Sequence, residues 1–100
     1  MTNTDITTIT VRNGYQELVE GNMIATICDG GHATVLAGGY AYVRNGGTVV
    51  VESGGYANVE KGGRAYVRDG ATAYVRDGGL ANVYDDGRVV AEDGAIIINK

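Results

Sequence analysis

Glycine recurs every eight residues along most of this 100-residue chain. The glycines on this grid lie at positions 30, 38, 46, 54, 62, 70, 78 and 94, and Asp86 interrupts the series. Counted from its first glycine, each unit reads G-G-x-A-x-V-x-x, as in "GGYANVEK" at 54–61. The sixth place is valine in every unit from Val35 to Val83. A repeat this regular constrains the fold more than any other feature of the chain.

Each unit predicts one β-strand and one corner. Apolar and variable residues alternate over four or five places, which is typical of a strand that buries one face. The glycines allow the positive φ that a tight corner needs. Because a single strand cannot bury its apolar face alone, the units must coil and stack on one another. The sequence therefore predicts an all-β, single-domain β-solenoid, or β-helix, of eight-residue units.

The number of strands in each coil is inferred from the outward side chains. At a spacing of three units, Tyr42 lies over Tyr66 and Arg44 over Arg68. At a spacing of two units the columns are mixed, for example Thr34, Val50, Tyr66 and Asn82. Ladders of identical side chains favour parallel stacking, although stacked arginines would repel one another. We therefore predict three parallel sheets and about four coils, with two strands per coil as the alternative and the handedness left open.

The solenoid is predicted to occupy the whole chain, 1–100, as one domain. Regular repeats cover 22–100, and the same grid extends backwards towards the N-terminus. The unit at 14–21, "GYQELVEG", fits poorly because it would turn Glu17 into the core. We therefore expect 1–21 to form a less regular N-terminal coil or cap, in which the unit at 14–21 is either a local bulge or a short cap.

Composition supports a narrow interior and argues against a nucleic-acid binder. The chain has 17 Gly and seven Tyr but no Phe, Trp or Pro, so the core must be filled by small side chains. The net charge of −4 opposes a general attraction to phosphate, so direct nucleic-acid binding is not expected.

The terminal sequence and the single cysteine, Cys28, predict where the protein is found. One cysteine cannot form an internal disulfide, which fits a reducing compartment. The first residues, "MTNTDITTITVRNG", lack a basic start and an apolar run of signal-peptide length. No apolar run approaches the roughly 18–20 residues of a membrane span. We expect a complete, small cytoplasmic protein of a bacterium or of a phage-infected host cell.

Residues that could support catalysis or metal binding are few. Ser53 and His32 lie far apart in the sequence and on different predicted sheets, so a nucleophile–base pair is not expected. Cys28 and His32 flank one corner, but zinc requires about four ligands. Aspartate and asparagine before glycine are ordinary turn formers, and cation binding by these acidic corners is left open. The sequence predicts a protein that is not an enzyme and that holds no cofactor or metal.

With the interior taken up by Ala and Val, function is expected on the outer faces. One predicted sheet gathers tyrosine and arginine, which are enriched at interface hot spots, and it is the candidate partner-binding surface. Its residues are Tyr40, Tyr42, Arg44, Arg64, Tyr66, Arg68 and Arg88. Another predicted sheet is unusually apolar, and Ile96 and Ile98 lie on it beside the open last coil. These two isoleucines are the candidate homodimer interface.

The G-G-x-A-x-V units over about residues 22 to 98 resemble the glycine-rich passenger repeats of bacterial autotransporter adhesins, which also wind into β-helices. The resemblance implies a structural or adhesive β-helix repeat protein of the bacterial cell surface. The acidic balance and short frame favour a different function, in which the chain binds another protein. That function is a small intracellular inhibitor from a phage or mobile element, acting on a host defence complex by steric block or nucleic-acid mimicry, in the manner of an anti-CRISPR protein. Both are non-catalytic macromolecule-binding functions.

Overall fold

The computed structural model describes residues 7–21, 23–84 and 86–99, which form a β-solenoid of twelve strands with no helix among them. The strands are β1 Thr7–Val11, β2 Gln16–Val19, β3 Met23–Ile27, β4 His32–Val35, β5 Tyr40–Val43, β6 Thr48–Val51, β7 Tyr56–Val59, β8 Arg64–Val67, β9 Thr72–Val75, β10 Leu80–Val83, β11 Arg88–Ala91 and β12 Ile96–Asn99. In the described ranges, therefore, no helix could cross a membrane.

The strands alternate between two six-stranded parallel sheets. The odd sheet has the order β1-β3-β5-β7-β9-β11, and the even sheet has the order β12-β10-β8-β6-β4-β2. Register partners are two repeat units apart in the sequence, as in Thr34 with Val50 and Tyr66 with Asn82. Each coil therefore holds two strands, and the described strands make six coils. The prediction of three sheets and four coils is wrong, while the β-solenoid itself is confirmed.

Opposite charges meet in a coil of two units and would be separated in a coil of three. Arg44 Nε lies 3.6 Å from Glu60 Oε1 in the next coil, and Arg68 Nη1 lies 3.9 Å from Glu52 Oε2 in the preceding coil. A spacing of three units would instead place Arg44 against Arg68. Matching side chains by type favours a spacing of three units, whereas matching them by complementary charge favours two, and like charges directly opposite one another are destabilising.

The core is a double row of small side chains between the two sheets. The inward side chains are alanine or valine at the fourth place of each unit and valine at the sixth place. Most of them have no exposed area. The fully buried examples in the central coils are Ala41, Val43, Val49, Val51, Ala57, Val59, Ala65, Val67, Ala73 and Val75. Sheets that face each other at about 10 Å leave room for such side chains and for little more. The predicted inward–outward alternation is confirmed by these strands.

Where a corner carries two glycines, they serve different purposes. The first adopts a positive φ, for example 84° at Gly46, and its N–H donates to the carbonyl of the equivalent glycine in the next coil, Gly62. The second allows a close approach, because a Cβ at Gly47 would collide with the Ile27 carbonyl oxygen. The hydrogen-bonded ladder therefore continues around the corners as well as along the strands.

The N-terminal coil is more regular than the sequence predicts. The strand β2 pairs with β4 in continuous register, with Glu17 opposite Ala33, and no bulge interrupts it. Glu17 takes an inward place but is exposed, because it lies on the first described coil of the even sheet. A charge is tolerated there since no strand stacks beyond it among the described residues. The first six residues of the expected cap lie outside the described ranges.

Candidate interaction surface

The predicted tyrosine–arginine face is divided between the two sheets. Tyr40, Tyr42, Arg44 and Arg88 lie on or beside the outer face of the odd sheet. The remaining three predicted residues, Arg64, Tyr66 and Arg68, belong to the even sheet on the opposite side of the solenoid. The seven residues therefore cannot contact one flat partner together. The division follows directly from two strands per coil, since residues three units apart fall on opposite sheets.

A different cluster of aromatic side chains forms on the odd sheet. The rings of Tyr40 and Tyr56 stack with centroids 4.7 Å apart and an interplanar angle of 18°. Tyr42 packs against Tyr40 at 5.0 Å with the rings tilted by 56°. Asn58 and Tyr74 continue the outward column of Tyr42 on the next two strands of this sheet. We call these five residues, Tyr40, Tyr42, Tyr56, Asn58 and Tyr74, the tyrosine face.

Tyr74 is fixed at one end of the tyrosine face by charged neighbours. Its hydroxyl donates a hydrogen bond to Glu92 Oε2 at 3.0 Å, and the Arg76 guanidinium lies 5.9 Å from its ring centroid. Arg76 Nε in turn lies 3.7 Å from Glu92 Oε2. The hydrogen bond to the Glu92 carboxylate, followed by the repulsion between that charge and a tyrosinate, raises the pKa of Tyr74. The ring is therefore held in one orientation while part of it stays exposed.

The centre of the tyrosine face contains a polar atom with no partner. Asn58 Oδ1 is buried beneath its neighbours and accepts no hydrogen bond from the described part of the chain. Burial raises the pKa of Tyr40, and although the Asn58 amide opposes that shift, the neighbouring Tyr42 hydroxyl reinforces it. The face is consequently polar at its centre and aromatic around it.

Charges beside the tyrosine face largely neutralise one another. Arg44, Glu60, Arg76 and Glu92 follow one another at the ends of the odd strands, and two ion pairs form among them. We call these four residues the ion row. Each pair is about half exposed, so its contribution to stability is small. The row therefore leaves little net field at the edge of the face.

The even sheet presents a more mixed surface. Ile96 and Ile98 lie on its last strand with exposed fractions of 53% and 41%, as the alternation predicts. They lie beside Leu80 and Asn82 of β10. The apolar sheet predicted to carry these two isoleucines is not one surface, because its other predicted members are divided between the odd sheet and the even sheet.

Residues considered for chemistry are not assembled into a site. His32 points outward on β4, Cys28 is half-buried at the preceding corner, and Ser53 lies in a corner of a later coil. In the ranges that the structure describes, no three His, Cys, Asp or Glu side chains come together in a way that could hold a metal ion.

The spacing of the tyrosines in the sequence indicates the tyrosine face only if a coil holds two units. Tyr56 lies two units after Tyr40, and Tyr74 lies four units after Tyr42. A coil of two units brings all four onto one sheet, whereas a coil of three units separates them. The prediction of three strands per coil therefore leaves Tyr56 and Tyr74 out of the interaction surface.

Comparisons with known proteins give a distant structural likeness. No protein-family model and no curated protein matches this chain. Among solved structures, it is similar to a fragment of TibA, residues 55–350, in a hyper-glycosylated form produced by TibC. The identity is 20% and the TM-score is 0.35, over 93% of this chain and 57% of the TibA fragment. The chain thus spans little more than half of that fragment, and a likeness this distant carries no argument about function. The resemblance of this chain to the β-helical passenger repeats of autotransporter adhesins is confirmed at the level of the fold, because its own strands form a parallel β-solenoid.

Proposed function

We propose that this chain is a non-catalytic β-solenoid module that binds a protein partner through its tyrosine face, in a structural or adhesive role. The observation that carries the proposal is the gathering of four tyrosines on adjacent strands of one outer sheet. Tyrosine is enriched at interface hot spots because it brings a large contact area and a polar tip with only two rotatable side-chain torsions.

Rigidity supports this proposal. The tyrosine face lies on strands that are hydrogen-bonded on both sides, and its rings are packed against one another or held by Glu92 and Arg76. A partner would therefore meet side chains that are already ordered. Binding to such a surface costs less conformational entropy than binding to mobile loops.

The charges indicate what kind of partner would bind. The ion row leaves the border of the face close to neutral, so contact would depend on aromatic surface and hydrogen bonds. Such contacts are only weakly screened by salt, unlike the contacts of a phosphate polymer. We therefore expect a protein surface that offers apolar groups together with hydrogen-bond donors.

Nucleic-acid mimicry by an inhibitor of a defence complex is not favoured. It would require a continuous display of free carboxylates, whereas the glutamates beside the tyrosine face, Glu60 and Glu92, are each paired with an arginine. The structural or adhesive role is compatible with the repeat fold, and we propose it in place of the inhibitor. Cytoplasmic location stays a prediction, as does the lack of enzymatic activity.

Site-specific photocrosslinking would test the proposal. A photoreactive phenylalanine analogue placed at Tyr42 should crosslink to a partner from the source cell, and the same analogue at Tyr66 on the even sheet should not. The crosslinked protein would be identified by mass spectrometry and its affinity for purified variants measured. Tyr42→Ala together with Tyr74→Ala should weaken binding at least tenfold, while Tyr66→Ala should leave it unchanged.

Circular dichroism would confirm that the variants keep their strands, since Tyr42 is 38% exposed and removing its ring leaves the core intact. Binding that is equally strong in wild type and the Tyr42→Ala, Tyr74→Ala variant would refute the proposal. So would crosslinking that occurs from Tyr66 alone. Arg44→Ala and Arg68→Ala should be tested separately, because these residues lie on opposite sheets.

A further inference from the structure

Glu92 contacts three different groups at one end of the tyrosine face. Its Oε2 accepts the hydrogen of the Tyr74 hydroxyl at 3.0 Å and lies 3.7 Å from Arg76 Nε. Its Oε1 accepts a hydrogen bond from the backbone N–H of Asp77 at 3.4 Å. All three groups belong to the preceding coil of the odd sheet, on β9 or the corner after it. Together they fix the position of the Glu92 carboxylate.

The direction of the hydrogen bond between Tyr74 and Glu92 determines what Tyr74 can offer to a partner. An ionised carboxylate only accepts hydrogen bonds, and a tyrosine hydroxyl has a single hydrogen to donate. Because Glu92 takes that hydrogen, the Tyr74 oxygen can only accept a further hydrogen bond. Consecutive hydrogen bonds polarise one another, so donation to a carboxylate makes this oxygen a stronger acceptor.

The same three residue types recur two coils earlier with the same spacing, as Tyr42, Arg44 and Glu60. The ion pair forms there too, but the Tyr42 ring packs against Tyr40 on its own strand. The residue at the corresponding place beside Tyr74 is Thr72, which has no ring to pack against. The tyrosine without an aromatic neighbour on its own strand is therefore the one whose hydroxyl reaches the carboxylate.

On the basis of the proposed function, we infer that Glu92 is a positioning residue of the tyrosine face: it leaves Tyr74 as an acceptor that takes a lysine or arginine side chain of the partner. Lysine and arginine carry donors and no acceptor, whereas ionised aspartate and glutamate carry acceptors only. A carboxylate of the partner would therefore meet the Tyr74 oxygen without forming a hydrogen bond, and both acceptors would lose their water.

Charge favours lysine or arginine over a neutral donor such as tryptophan. A cation is attracted by the face of a tyrosine ring, and the Arg76 guanidinium, 5.9 Å from the Tyr74 ring centroid, makes this contact within the chain itself. Arg76 is paired with Glu92, which reduces its repulsion of an incoming cation. The net charge of −4 attracts cations to the chain as a whole. A lysine or arginine at Tyr74 thus gains a hydrogen bond together with an electrostatic attraction.

Carbon-13 NMR of the chain labelled at tyrosine Cζ tests the contact with Glu92 before any partner is added. The Tyr74 signal, assigned by its loss in Tyr74→Phe, should titrate in the wild type with a pKa above the ordinary value of 10.0. Glu92→Gln removes the carboxylate charge and should lower the pKa of Tyr74. The matched control is Glu60→Gln, which breaks the ion pair with Arg44 and should leave that pKa unchanged. Identical titration of Tyr74 in the wild type and Glu92→Gln would overturn the inference.

Binding is then measured by calorimetry with the purified protein that crosslinks through the analogue at Tyr42. Tyr74→Phe removes the acceptor and should weaken binding about tenfold. Glu92→Gln should weaken it to a similar extent, because the glutamine N–H can donate to the Tyr74 oxygen and occupy it. Glu60→Gln should bind as tightly as the wild type. Adding Glu92→Gln to Tyr74→Phe should weaken binding by less than about twofold further, since Glu92 acts through the Tyr74 hydroxyl.

Alanine replacement of the lysines and arginines in the crosslinked segment of the partner identifies the donor. One of these replacements should weaken binding to the wild type but not to Tyr74→Phe. Wild-type affinity of Tyr74→Phe, or coupling of Tyr74 to an acidic residue of the partner, would overturn the role of Glu92. The proposed function would still stand in that case if Tyr42→Ala together with Tyr74→Ala weakens binding. Wild-type affinity of that double variant would refute the proposed function, and the role of Glu92 with it.

Discussion

Replacing Val67 by alanine tests the core of the solenoid at its middle. Val67 has no exposed area and lies between Val51 and Val83 of the neighbouring coils. Two methyl groups are lost, which corresponds to roughly 1.6 kcal/mol of transfer free energy at ~0.8 kcal/mol each. The backbone ladders on both sides limit collapse, so the cavity adds to this cost and we expect a loss of about 2–3 kcal/mol. In a domain of this size that loss lowers Tm by about 10–20 °C.

The neighbouring residue provides the control. Tyr66 is half-buried and points outward, so Tyr66→Ala removes only cross-strand contacts, at a cost of about 1 kcal/mol or less. Thermal and urea unfolding followed by circular dichroism would measure both variants, with coincident transitions checked first. Val67→Asp buries an unpaired charge and should cost several kcal/mol more than Tyr66→Asp. Equal losses at positions 66 and 67 would refute the inward–outward assignment on which the faces depend.

Two more predictions concern the corners and the tyrosine face. Gly47→Ala should destabilise the protein by about 2 kcal/mol or more, because its Cβ would collide with the Ile27 backbone. Gly79→Ala, whose Cβ would have contacts of 3.0–3.1 Å, should change stability by less than about 1 kcal/mol. Equal unfolding free energies of the two variants would contradict the role given to the second glycine. The pKa of Tyr74 is raised in the folded state, so the stability that this residue contributes is present below its ordinary pKa of 10.0 and is lost as pH rises through the folded pKa. In urea titrations above pH 10, Tyr74→Phe should therefore lose less unfolding free energy than the wild type. Identical losses would show that the Glu92 hydrogen bond is not formed.

The strands could be predicted from the sequence because each is specified locally. The valine at the sixth place and the alanine at the fourth fix which residues point inward, and glycine fixes where each strand ends. Val43, Val59 and Val75 confirm this on three strands of the odd sheet. These features do not depend on how many strands make one coil. The inward–outward assignment is therefore predicted correctly, although the number of strands per coil is not.

The number of strands per coil is a long-range property, and the outward residues gave two conflicting signals. Likeness of side chains paired Arg44 with Arg68, whereas complementary charge pairs Arg44 with Glu60. The physical term that stabilises neighbouring side chains is attraction, so the second signal was the better guide.

The residues assigned to the candidate site depend on the number of strands per coil. Tyr40 and Tyr42 were identified correctly as neighbours on one face, but Tyr56 could be added to them only with a coil of two units. Arg64 is displaced to the other sheet by the same change. The exposure of Ile96 depended on alternation alone and was predicted correctly.

The two-strand coil determines which residues share a face, and excimer fluorescence tests it most directly. In a Cys28→Ser background, cysteines at Thr34 and Val50 would carry pyrene labels on adjacent strands about 4.8 Å apart. Cysteines at Thr34 and Asn58 would carry the labels on opposite sheets. A coil of two strands predicts strong excimer emission from the 34/50 pair, unchanged by dilution with unlabelled protein, and monomer emission alone from the 34/58 pair. Excimer emission from the 34/58 pair and none from the 34/50 pair would contradict it.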